Sequence, residues 1–278
     1  MAAVGAFAAV ESPNIVGYSA VEDGGNFNPG IGSVFMPIGG GDTYLLGSIK
    51  VSGAAADDFM VPGIEYLQEL NPNGSAVIGR YTYVSEAYLK DEYEDEWEDY
   101  KGLIGWWDRG YVGVAGHSRD AKEIDVGTAF LGKLAGNELK FTSSGEVPSV
   151  ATQISDNGNF NPYFLNYLPK TITLGQITVE GATEDDFMVP GIEYLQVLNP
   201  NGSAVTARYT YISVAYLKDE YEDEWADYVD LVGWWDRGYV GTEGHKRDSL
   251  ELAPGFSFLG KLAGNGLKFN FPAAVETN

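Results

Sequence analysis

Short stretches of alternating apolar and polar residues, separated by turn-forming clusters, dominate this chain. Thr43 to Val51 and Thr171 to Val179 are rich in β-branched residues, and their second halves alternate as a strand with one buried face requires. Ile64 to Leu70, Asn71-Pro72-Asn73-Gly74 and Ala76 to Ala87 together predict a β-hairpin, because Asn-Gly supplies the φ > 0 residues of a tight turn. The same pieces recur as Ile192 to Leu198, Asn199 to Gly202 and Ala204 to Ala215. The alternation breaks at the acidic run from Asp91 to Tyr100. Its aromatics Tyr93, Trp97 and Tyr100 fall at i, i+4 and i+7, the spacing of one helical face, so a short helix or compact loop is predicted there. Gly105-Trp106-Trp107-Asp108-Arg109-Gly110 then leads into another strand. The unit closes with Ala129 to Leu134, a turn at Gly136-Asn137, and Leu139-Lys140-Phe141.

These patterns occur twice. Leu46 to Phe141 aligns without a gap on Leu174 to Phe269, every position displaced by 128. A related loop opens each copy, Asp23 to Pro29 and Asp156 to Pro162, here displaced by 133; five residues are therefore lost within Gly30 to Tyr44, a stretch containing Gly39-Gly40-Gly41 and suited to a surface loop. The expectation is an all-β protein of two tandem, nearly identical β-sandwich-like modules, each with one short helical or loop insertion; a small barrel is the other closure such strands permit. The domain reading is an apolar N-terminal tail over 1–10, a first module over 11–148 and a second over 149–278.

Composition narrows the partners. Apolar residues make up 44% of the chain, enough to build cores, while 40 Asp and Glu against 17 Lys and Arg leave a formal charge of -23. Such a field repels phosphate backbones and anionic headgroups, so nucleic acid is a poor partner. Cysteine is absent, which removes disulfides, thiolate metal sites and cysteine nucleophiles. No apolar run reaches the roughly 20 residues of a spanning helix. Met1 to Val10 is Ala-rich and uncharged; Ala6-Phe7-Ala8 before Glu11 has the character of a secretory leader's end or a cloning remnant, and its apolar surface calls for burial in the protein's own core or in a neighbour.

Few residues carry an obvious chemistry. His117 and His245 are the two histidines, each in a Gly-His-x-Arg-Asp stretch with no second histidine in its copy, which reads as a loop position rather than a nucleophile's base. The carboxylates Asp91, Glu92, Glu94 and Asp95, with Asp219, Glu220, Glu222 and Asp223 in the second copy, could converge on a hard cation, calcium above all. Against this stands a solvated acidic face anchored by its aromatics, since the known calcium-loop pattern is missing. Glycoside hydrolysis by paired carboxylates comes well behind both. Trp106 and Trp107, with Trp234 and Trp235, would point to opposite faces of a strand, one ring of each pair in the core and the other free to stack on a glycan or anchor a protein contact. Asn73-Gly74-Ser75 and Asn201-Gly202-Ser203 match the N-glycosylation acceptor, but the turn accounts for them.

Glu11-Ser12-Pro13-Asn14-Ile15-Val16-Gly17-Tyr18, directly after the leader-like stretch, resembles the mature start of certain uncharacterised secreted β-rich bacterial repeat proteins. So does a module ending Ala129-Phe130-Leu131 and then Leu139 to Val147. The resemblance covers most of each module; the second copy departs from it at Phe271-Pro272-Ala273-Ala274. It implies export and a β-rich fold and brings no established activity. The functional expectation is therefore a non-enzymatic, exported subunit that self-assembles into an extracellular filament, tube or surface layer, its partners being copies of itself. The means would be strand addition through Val4, Phe7, Ala8 and Val10 of the tail. The rival is a carbohydrate-binding adhesin with duplicated Trp-Trp-Asp sites.

Overall fold

The structure, a computed structural model, describes residues 16–22, 28–32, 43–53, 59–71, 76–125, 128–136, 138–146, 152–155, 161–166, 168, 170–181, 187–199 and 204–273. It is mostly β, with several sheets and short helices. In the first half the strands are β1 (Val16–Glu22), β2 (Asn28–Gly32), β3 (Thr43–Leu45), β4 (Lys50–Ser52), β5 (Tyr66–Leu70), β6 (Val77–Val84), β7 (Gly105–Asp108), β8 (Glu123–Asp125), β9 (Ala129–Lys133) and β10 (Lys140–Glu146). Helix α1 (Glu86–Tyr93) and a 3-10 helix (Glu94–Leu103) lie between β6 and β7. The second half runs β11 (Thr152–Ser155), β12 (Asn161–Leu165), β13 (Ile172–Thr173), β14 (Thr178–Glu180), β15 (Tyr194–Leu198), β16 (Val205–Ile212), α2 (Val214–Tyr221), a 3-10 helix (Glu222–Leu231), β17 (Gly233–Asp236), β18 (Glu251–Leu252), β19 (Ser257–Lys261) and β20 (Lys268–Phe271).

Among the described residues the first half forms a sheet in the order β2-β9-β5-β6-β7, a second in the order β1-β10-β4 and the pair β3-β8; β12-β19-β15-β16-β17, β11-β20-β14 and β13-β18 repeat this arrangement. Side chains from both larger sheets meet in one core. Leu67, Tyr81, Tyr83, Trp106 and Phe130 of the five-stranded sheet pack with Val51 and Phe141 of the three-stranded one. Tyr83 meets Trp106 edge to face at 5.2 Å, and the indole Nε1 donates to the Ile49 carbonyl at 2.8 Å, so the largest core ring is satisfied at its polar end. The strands β2 and β12 lie beside β19 and β9, so the β2 and β12 edges of the two large sheets are brought together.

The predicted hairpins form, with Asn71 N–H donating to the Ala76 carbonyl at 2.9 Å, and each contains a bulge, between Glu69 and Leu70 and between Val197 and Leu198. Two strand expectations are corrected. Thr43 to Val51 is broken by a 3-10 turn at Leu46–Ser48, because Leu46 N–H and Gly47 N–H leave the ladder to bond the Lys122 and Asp120 carbonyls. The strand expected to run to Ala87 stops at Val84, where the Ser85 hydroxyl accepts from Tyr88 N–H at 3.0 Å and starts α1. The Asn73-Gly74 and Asn201-Gly202 turns, Asn137 and the 1–10 tail lie outside the described residues.

A buried carboxylate ties each half together. Glu65, 1% exposed, accepts from Val61 N–H and from Ala135 N–H, both at 2.9 Å, so the segment entering β5 is stitched to the segment leaving β9. Glu193 does the same with Val189 and Ala263 at 2.9 and 3.0 Å. Hydrogen bonds to a charged group contribute about 1.5–3 kcal/mol each, and stranding buried N–H donors adds to the loss. Glu65→Ala is therefore expected to destabilise the fold by about 3 kcal/mol, read as a lower urea midpoint with unchanged slope; a midpoint equal to wild type would refute the stitching role.

Candidate functional site

The Trp-Trp-Asp segments occupy β7 and β17, where alternation sends neighbouring side chains to opposite faces. Trp106 and Trp234 enter the core between the sheets, as expected. Trp107 and Trp235 do not remain free: they are 9% and 6% exposed, covered by the helical insertion, with Trp107 packed against Val84 and Leu89. Their indole Nε1 groups donate to the Leu103 and Leu231 carbonyls at 2.7 Å. The expected glycan-stacking ring is thus absent from the surface at all four positions. The reason is Tyr93, Trp97 and their counterparts, which carry the helices down onto that face as the i, i+4 spacing predicted. Tyr93 also stacks on Tyr100 at 3.9 Å, as Tyr221 does on Tyr228.

The acidic run does not gather into a cation site. Asp91, Glu92, Glu94 and Asp95 are exposed, as are Asp219, Glu220, Glu222 and Asp223, and among the described residues no three His, Asp or Glu side chains are placed to hold a metal ion. Asp91, Glu94 and Asp95 have the spacing of one α-helical face, but α1 ends at Tyr93 and the chain turns at Glu94, φ 44, into a 3-10 helix, so the run never forms that face; Glu222, φ 45, breaks the second copy in the same way.

The Gly-His-x-Arg-Asp stretch has a definite task, which is to close the outer edge of β7. Asp108 N–H donates to the His117 carbonyl at 3.0 Å and Arg119 N–H to the Trp106 carbonyl at 2.7 Å, with a further bridge between Trp107 and Ser118. Side chains fix this flap. The Asp108 carboxylate accepts from Arg119 through Nε at 2.8 Å and Nη2 at 2.5 Å, and from His117 Nδ1 at 2.9 Å. Tyr111 stacks on the imidazole at 4.4 Å. Asp120 finishes the motif by accepting Trp106 N–H at 2.8 Å, its carboxylate filling the space where Gly105, at φ 133, has no Cβ. Asp236, Arg247, His245, Tyr239 and Asp248 repeat every contact.

Closure stops one strand short. β7 pairs only with Tyr81 to Val84 of β6, so among the described residues Val77 to Gly79 runs on past the flap with a partner strand on the β5 side alone; Val205 to Ala207 does likewise in β16. Each overhang lines a surface cavity, of about 360 Å³ in the first half and about 600 Å³ in the second. Arg80 and Arg109 line the first cavity, Arg208 and Arg237 the second. Among the described residues none of these four arginines is in an ion pair. Arg109 lies 4.4 Å over the Tyr66 ring with Lys133 at 5.6 Å, and Arg237, Lys261 and Arg208 lie 4.4, 5.5 and 5.8 Å from Tyr194. Exposed cations collected on one aromatic, beside strand backbone that no described residue pairs, form a site suited to an extended, carboxylate-bearing segment.

Sequence reasoning passed over these arginines. The signal was available: in a chain poor in cations, Arg80 and Arg109 are both kept as arginine 128 positions later. Tyr111 and Tyr239, 51% and 52% exposed at the rim, are kept as well. No protein-family model, curated protein or solved structure matches this chain, so the resemblance to secreted bacterial repeat proteins rests on the residues quoted for it. No helix among the described residues is long and apolar enough to cross a membrane.

Acid tests the flap directly. Partial burial works to raise the Asp236 carboxyl, but the hydrogen bonds from Arg247 and His245 outweigh it and hold the group below its ordinary 3.8. A carboxyl lowered by folding adds stability that is complete above the unfolded value and disappears as pH falls through the folded one. Asp236→Asn is therefore expected to be clearly less stable than wild type at pH 7, the gap narrowing below about pH 4. Urea unfolding followed by tryptophan fluorescence checks this; a gap independent of pH would contradict the charge network.

Proposed function

We propose that the chain is an exported structural subunit, made of two tandem β-sandwich-like modules, that self-assembles into an extracellular filament, tube or surface layer by adding the apolar N-terminal strand of one copy to an open sheet edge of the next. The observation that carries this reading is the strand overhang at Val77–Gly79 and Val205–Ala207, which no described residue covers beyond a flap that closes the rest of the same edge. An uncovered ladder of N–H and C=O groups is a template for another strand. The opposite edges, β2 and β12, face the other half and are not presented in the same way. One open edge and one apolar segment per contact give a head-to-tail interface, which propagates without closing. Burial of Trp106, Trp107, Trp234 and Trp235 removes the Trp-Trp-Asp platform on which the carbohydrate-binding alternative depended.

Two features limit unwanted pairing. Each overhang is only a few residues long and carries a bulge, devices that discourage adventitious edge contacts. A donor must therefore supply side-chain contacts as well as backbone. Val4, Phe7, Ala8 and Val10, outside the described residues, provide the apolar ones in this proposal.

Deleting residues 1–10 is expected to leave a folded monomer by sedimentation velocity and circular dichroism, with no ordered polymer in negative-stain electron microscopy under conditions where the full chain assembles. Assembly undiminished by the deletion would reject the tail as donor.

A further inference from the structure

The two overhangs differ in the residues that surround them. In the first half Glu69 accepts from the Tyr81 hydroxyl in a short hydrogen bond and from Lys122 Nζ at 3.2 Å, with the Tyr81 ring end lying where a Cβ on residue 79 would stand; Gly79 leaves that room. In the second half Val197, Leu250 and Ala207 replace Glu69, Lys122 and Gly79 together. The ion pair is gone, and Ala207 and Leu250 pack against the core at the cavity's floor. The cavity is correspondingly larger, and its lining extends to Tyr209, Arg247 and Leu250, whose first-half counterparts do not line the smaller one. Arginines border both overhangs, Arg109 and Arg237 each donating to a backbone carbonyl, of Gly63 and Gly191, but the floor differs: a hydrogen-bonded ion pair backs the first and apolar side chains back the second.

Resting on the assembly reading above, we propose that the β16 overhang, and not the β6 overhang, is the receptor, and that its occupant is Ala8-Ala9-Val10-Glu11 of a second copy. Alternation fits the two faces of the cavity. Ala8 and Val10 share one face of an extended segment and meet Ala207 and Leu250; Ala9 and Glu11 share the other, which brings the first carboxylate of the chain onto the side of Arg208 and Arg237. The three-residue overhang spans roughly 10 Å of strand, so a four-residue segment covers it with one residue to spare. At β6 the same apolar side chains would desolvate the Glu69–Lys122 pair without replacing its contacts, which makes that edge the poorer acceptor. Each copy then has one receptor and one donor, and growth has a direction.

The test uses the full chain in sedimentation and electron microscopy, with circular dichroism to confirm that each variant is folded. Arg208→Glu is expected to raise the concentration needed for assembly about tenfold, while Arg80→Glu stays within about twofold of wild type. Glu11→Arg alone should also impair assembly, and combining it with Arg208→Glu should restore it. Wild type that never assembles overturns the assembly reading and this receptor with it. Wild type that assembles while Arg208→Glu assembles equally well, or while Arg80→Glu is hit as hard, overturns the receptor assignment alone. Loss in Arg208→Glu that Glu11→Arg does not repair overturns the tail as occupant, in favour of another acidic segment.

Discussion

A carboxylate gripped by an arginine and a histidine decides how the outer edge of each large sheet ends. Asp108 and Asp236 stand on the last residue of the edge strand, and by holding Arg119 with His117, or Arg247 with His245, they pin a loop against backbone that would otherwise be free. The loop's main chain completes the ladder opposite Trp106 to Asp108. Isolated surface ion pairs contribute little, but here a bidentate guanidinium, an imidazole and a stacked tyrosine act on one half-buried carboxylate, and the geometry is over-determined. Everything around the candidate site follows from where that loop stops.

What it leaves uncovered is set by strand length. β6 and β16 are eight residues long while β7 and β17 are four, so an overhang is unavoidable unless another element covers it. The two copies treat the space beneath it differently through three coordinated exchanges, Glu69 to Val197, Lys122 to Leu250 and Gly79 to Ala207. The exchanges must come together. A lone Val at position 69 would strand Lys122 and the Tyr81 hydroxyl, whose ionisation burial and the Glu69 carboxylate together push far above the ordinary range; a lone Ala at 79 would collide with the same ring. Physical consistency within each set marks both as solutions, one polar and one apolar, to the same packing problem.

Much of this was legible in the sequence because local pattern and tertiary burial agree. The hairpins were announced by β-branched runs around Asn-rich turns, and the helical insertion by aromatics at a period that only a helix places on one face. Opposite burial of the paired tryptophans followed from strand geometry; what alternation could not convey was that the insertion predicted from Tyr93 and Trp97 would fold back over Trp107. The break at Leu46-Gly47-Ser48 was hidden because its cause, the Asp120 carbonyl, lies more than seventy residues away. The flap was hidden for the same reason: His117 looked like an isolated loop residue until Asp108, nine positions earlier, was seen to face it. An open edge is less legible still, because it is a difference in length between two paired strands and no residue type encodes it.

The chain's charge bears on whether such an edge could be used at all. At -23, two copies repel at long range, but salt at physiological strength screens that repulsion over about 8 Å, whereas contacts within the cavity are made at hydrogen-bonding distance. Acidic groups are moreover displayed on the helical insertion, where Glu94 to Glu96 and Glu222 to Glu224 are exposed, while Arg80, Arg109, Arg208 and Arg237 border the overhangs. Arginines beside the overhangs let a strongly acidic protein stay dispersed and still hold a local attraction for a segment carrying few carboxylates. Met1 to Glu11, apolar until its last residue, is such a segment.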